Sequence, residues 1–164
     1  AHYHARSEPP HLSEAERIAR LDAFFAATRA DIRHGGNRAF YAPGLDVVQL
    51  PPPEAFRDAQ SYAATKAHEL VHWTGHKSRN AREFGKRFGD QAYAFEELIA
   101  ELGAAFLCAD LGITPEIRDD HAAYLAHWLK VLNQDKRAIF TAAAQAQLAV
   151  DTLASLQEPA QMAA

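Results

Sequence analysis

Between residues 68 and 72 the chain reads His-Glu-Leu-Val-His. On a helix, four residues advance the backbone by about 400° and about 6 Å, so His68 and His72 share one stripe, a turn apart, and can grip one metal ion. Glu69 flanks that stripe, placed to touch a water held by the ion instead of competing for the ion itself. Zinc suits two neutral imidazoles plus a carboxylate, and it leaves a fourth position open for water, whose pKa then falls towards about 7. In a chain of 164 residues with nine histidines, chance produces about 0.03 such matches, so the spacing is informative without being decisive.

A third ligand must come from elsewhere. The run Phe95-Glu96-Glu97-Leu98-Ile99-Ala100-Glu101 puts Glu97 and Glu101 one helical turn apart amid apolar neighbours. A carboxylate on a facing helix completes a two-histidine, one-glutamate set, and a second one at i+4 can orient a ligand histidine through its other ring nitrogen. Glu97 is therefore assigned to the metal and Glu101 to the support of a ligand, with His76, Glu96 and Glu101 as the competing third ligands. The longer pattern H-E-x-x-H-x-x-G-x-x-H finds its glycine at Gly75 but has Ser78 where histidine is required. Tyr93 lies four residues before Glu97 and could aim its hydroxyl at the oxyanion of a tetrahedral intermediate, although a packed ring is the plainer reading. His76 could do the same or cap the helix end.

These residues need two helices to carry them. Nothing between Ala59 and Thr74 breaks a helix that Asp58 can cap and Gly75 can end, and a second helix is expected from Gln91 to Leu111, closed by Gly112. Ser13 and Glu16 form a capping box for a first helix whose apolar period runs on towards His34-Gly35-Gly36. Residues 38–41 and 46–50, separated by Pro43 and Gly44, read as a hairpin that Pro51, Pro52 and Pro53 stop. Further helices are expected over about 120–133 and 135–156. Between the two site helices, residues 77–89 read as a solvated loop in which Lys77, Arg79, Arg82, Lys86 and Arg87 face only Glu83. The expected class is α+β and mostly helical: a leader over 1–12, one domain over 13–157 and a tail over 158–164.

Composition narrows the partners. A net charge of -4 and a pI near 6.1 argue against a broad grip on nucleic acid or an anionic membrane. One cysteine, Cys108, allows no internal disulfide, and no run approaches the roughly 20 apolar residues that cross a bilayer. A cytoplasmic location is expected. Trp73, Trp128 and Cys108 lie among apolar residues at helical spacing and read as core or pocket wall, while His121 and His127 read as surface residues.

Taken together, the stretch from His68 to His76, the run from Phe88 to Leu98 and the segment from Ala100 to Phe106 resemble the zincin-like metallopeptidase domain of ArdC-type antirestriction proteins and related plasmid primase-associated proteins. The likeness extends over about 13–156. It implies a gluzincin arrangement in which Glu97-x-x-Ala100-Glu101 is similar to an E-x-x-A-D stretch, with Glu101 where aspartate is usual. It also implies a parent protein of a conjugative plasmid with a single-stranded-DNA-binding domain ahead of this one. The expected function is peptide hydrolysis by a zinc-bound water with Glu69 as general base. The alternative is a zinc-containing binding module that protects DNA or blocks a restriction enzyme without proteolysis.

Overall fold

The computed structural model describes residues 13–84, 91–113, 128–129, 132–133 and 135–157. Helix α1 (Glu14–Ala27) starts at the expected capping box: Ser13 N donates to Glu16 Oε2 at 2.8 Å while Ser13 Oγ accepts from Glu16 N. It ends earlier than its apolar period suggests. Thr28 Oγ1 donates back to the Phe25 carbonyl, Arg29 turns into the left-handed region at φ 54°, and the residues expected to finish the helix become strand β1 (Asp31–His34). Pairing to a neighbouring strand overrides local helical period here, a competition that spacing alone does not reveal.

Strands β2 (Phe40–Ala42) and β3 (Val47–Leu50) make the expected antiparallel hairpin, with Tyr41 opposite Val48. The hairpin is not alone: β1 joins β3 in parallel, Ile32 opposite Val48, so the sheet is mixed with order β1-β3-β2 and β2 lies at an edge. The three prolines end β3 and lead through a 3₁₀ turn (Pro53–Ala55) to helix α2 (Ala59–Thr74), where Asp58 Oδ1 accepts from Ser61 N at 2.7 Å. Helix α3 (Gln91–Leu111) closes as expected on Gly112 at φ 68°, with Ile113 N donating to the Cys108 carbonyl and Gly112 N to that of Ala109. Helix α4 (Ala138–Ser155) follows. The leader, the tail, most of the 120–133 helix and the two histidines at 121 and 127 lie outside the described residues.

Helix α2 is the central element. One side of it, through Ala67 and Leu70, meets Val48 and Leu50 of the sheet together with Leu107 and Leu153. The other, through Val71, meets Leu98, Ile99 and Ala100 of α3 and the small-residue stripe Ala142, Ala146 and Ala149 of α4. The approach of α2 to α3 is close. A Cβ on Gly103 would lie 2.9 Å from Val71 Cγ1, inside the distance real carbons tolerate. Trp73 and Cys108 are buried in the same core, as expected. No helix among the described residues is long and apolar enough to cross a membrane.

Candidate metal centre

The last two turns of α2 are buried on every side, because sheet, α3 and α4 all pack against them. His68, Glu69 and His72 are thereby carried into the interior at 3%, 3% and 7% exposure, where polar groups are costly unless they find partners. The partners come from α3. His68 Nε2 and His72 Nε2 stand 3.2 Å apart, and the Glu97 carboxylate reaches both, with Oε2 at 3.5 Å from the first and Oε1 at 3.5 Å from the second. Among the described residues, one ligand atom from each of these three lies within 4.8 Å of the others, which suits one shared cation. The opposite ring nitrogens are held from α3 as well: His68 Nδ1 lies 3.3 Å from Glu101 Oε1, and His72 Nδ1 lies 3.0 Å from Glu96 Oε1. Two buried imidazoles backed by carboxylates, with their other nitrogens converging on a third carboxylate, are a donor set that could hold a divalent ion.

Burial opposes a charge on His72, but Glu96 and Glu97 outweigh it and push its pKa up to about 10. Burial alone would raise the Glu97 carboxyl, yet the two histidines hold it far below the usual carboxylate range. A proton on His72 is thus favoured between Glu96 and Glu97, and an ion entering there would have to displace it.

The centre opens on a cavity of about 470 Å³. Glu69 lines it beside the two histidines, Tyr93 forms part of its wall, and Phe40 and Tyr41 of the edge strand close it from the other side. His76 does not join the convergent group: beyond the end of α2, its Nδ1 lies 2.7 Å from Ser78 Oγ and 4.0 Å from Asp46.

Two arginines differ from the sequence reading of a solvated loop. Arg79 turns inward to grip Asp46 in the hairpin turn, donates to the Trp73 carbonyl at 2.7 Å and stacks its guanidinium 3.7 Å over the Trp73 ring. Arg82, with a side chain only 4% exposed, donates from Nε and Nη2 to the two oxygens of Glu96, each at 2.9 Å. Charge content suggested solvent for both; the buried acceptors they meet, Asp46 and Glu96, are remote in sequence. The invariance of spacing that flags histidine pairs has no counterpart for such long-range ties, so only the unexplained acid beside Glu97 hinted at one.

Residues 19–145 match the model of a family described as zincin-like metallopeptidase. The chain belongs to that family. Relatives place this zincin-like domain within longer proteins. It is 49% identical over 154 residues to protein y4eC of Sinorhizobium fredii (strain NGR234), covering 94% of this chain and 50% of that protein, and 42% identical over 142 residues to the Escherichia coli DNA primase TraC, covering 86% and 13%. The zincin-like fold superposes on the Mn(II)-bound crystal structure of the antirestriction protein ArdC from plasmid R388 with a TM-score of 0.79 at 51% identity, covering 86% of this chain and 53% of ArdC. Against the metal-free ArdC structure the TM-score is 0.76 at 49% identity, covering 94% and 54%. The zincin-like domain thus spans about half the length of y4eC and of ArdC, and a far smaller share of TraC.

Proposed function

We propose that this domain is a zinc-dependent peptidase within a larger antirestriction protein of a mobile element, with His68, His72 and Glu97 as ligands and Glu69 as general base. The observation that carries the reading is the convergence of those three side chains beside a buried Glu69 at the mouth of one cavity. Bound there, zinc would supply Lewis acidity, polarising a peptide carbonyl and making water acidic enough to ionise near neutral pH. Glu69 takes the proton from the attacking water on its carboxylate and returns it to the leaving amine nitrogen. Glu101 and Glu96 hold the histidine rings in register, and Tyr93 stands in the wall where a developing oxyanion could be met. Among the described residues β2 is an edge strand with no neighbour on one side, and Phe40 and Tyr41 line the same cavity, so an extended peptide can lie along it. ArdC's antirestriction description and the partial coverage of its chain support a multidomain parent.

Glu69→Gln tests the mechanism. It keeps the fold and full metal content while peptide-library cleavage falls by about 100-fold or more. A Glu69→Gln protein that still protects incoming DNA from restriction would favour the non-proteolytic binding module.

A further inference from the structure

We propose that Arg82 is a positioning residue for the metal ligand His72, acting through Glu96, so that the segment following α2 sets how tightly the centre holds its ion. This rests on the metal reading of His68, His72 and Glu97 given above.

The guanidinium lies inside the protein and makes four hydrogen bonds there. Nε donates to Glu96 Oε2 and Nη2 to Glu96 Oε1, Nη1 donates to Thr74 Oγ1 at 2.9 Å, and Nη2 also reaches the Val71 carbonyl near the end of α2. A two-pronged fork fixes the plane of a carboxylate as well as its place, which a lysine ammonium cannot do. The oxygen that Nη2 fixes is the one that faces His72 Nδ1 at 3.0 Å. With Nδ1–H donated to Glu96, the ring offers its Nε2 lone pair to the ion, so holding Glu96 holds both the tautomer and the tilt of His72. The same arginine is tied to the carbonyl of Val71, one residue before His72, and so references ring and backbone to one another.

Gly75 supplies an independent observation. Its φ of -74° is open to any residue, so backbone freedom does not explain the missing side chain. Space does: a Cβ there would lie 2.9 Å from Arg82 Nη2 and 2.7 Å from Phe84 Cζ. The glycine three residues after His72 is where the guanidinium passes over the helix end.

Zinc dissociation constants of the full 164-residue chain, measured by competition with a chromophoric chelator, test the idea in Arg82→Lys, Glu96→Gln and the double variant. Each single change weakens zinc by about 10- to 100-fold, and the double variant is within about threefold of Glu96→Gln alone, because both changes break one linkage. In the zinc-bound protein the His72 Nδ1–H proton signal, held by Glu96 in the wild type, moves upfield and exchanges faster with solvent in Arg82→Lys. Gly75→Ala, which leaves every polar group in place and crowds the guanidinium, weakens zinc in the same direction and carries the comparison should Arg82→Lys not fold. Zinc affinity unchanged in Arg82→Lys or in Gly75→Ala, or losses that multiply in the double variant, would overturn the role of Arg82 while leaving the centre intact. Wild-type chain that takes up no zinc overturns the metal reading and this inference together.

Discussion

Glu97 and His72 dominate at the residue scale, because one would close the proposed ligand set from a different helix and the other has a large electrostatic shift. Glu97→Ala removes the only carboxylate that reaches both Nε2 atoms at 3.5 Å among the described residues, so purified protein should lose its stoichiometric zinc; equal zinc in variant and wild type by elemental analysis would reject Glu97 as ligand. The His72 pKa, pushed up to about 10, stands above its ordinary value of 6.5, so in chelated protein the folded state binds the proton more tightly than the unfolded chain. That contribution is fully present below about pH 6.5 and is lost as pH rises through about 10. Urea unfolding of chelated protein should therefore show declining stability across that window, while apparent metal affinity rises over the same range as protons leave. A flat profile in both would contradict the paired, buried geometry of His72 with Glu96 and Glu97.

At the scale of elements, the centre exists because α2 and α3 approach closely enough for side chains on one to reach rings on the other. Gly103 packs directly against Val71, where a Cβ would lie 2.9 Å from Val71 Cγ1, and Val71 immediately precedes His72. Gly103→Ala should cost about 1–3 kcal/mol in overpacking despite the better helix propensity of alanine, which is worth only about 1 kcal/mol. A denaturant midpoint higher than wild type would show that the helices separate freely. The loss should also appear in metal affinity, since Glu97 and the two histidines sit on the elements being pushed apart. The edge position of β2 is likewise an outcome of packing: Asp46, at φ 54°, is held by Arg79 and by the Tyr41 hydroxyl at 2.8 Å, which joins the hairpin turn to the end of α2 and fixes the cleft's far wall.

For the whole molecule, the carboxylates and imidazoles gathered around His68, His72 and Glu97 are a costly interior, compensated in part by Arg82, that a bound cation would relieve further. Metal saturation should stabilise the fold by about 2.7 kcal/mol at a hundredfold excess over the dissociation constant, a rise in Tm of about 5–10 °C for a chain of this size. Calorimetry with and without chelator measures it, and coincident transitions would speak against a metal in the core. ArdC is Mn(II)-bound in one crystal structure, yet two imidazoles and a carboxylate rank zinc above manganese. Equimolar competition should leave zinc in the protein; retained manganese would reassign the natural ion.

By itself the chain determined what is local: the capped span of α2, the glycine-closed end of α3, the hairpin, and the histidine pair whose four-residue spacing becomes one face of a helix as soon as the helix forms. Periodicity and caps are properties of neighbours in sequence, so they are legible there. The end of α1, the parallel entry of β1 beside β3, the embrace of Glu96 by Arg82 and the inward turn of Arg79 were decided only in tertiary structure. Each depends on a partner between 14 and 33 residues away in the chain, or on strand pairing that competes with local helix preference, and the free energy that selects it appears only once burial leaves those polar groups no water to bind.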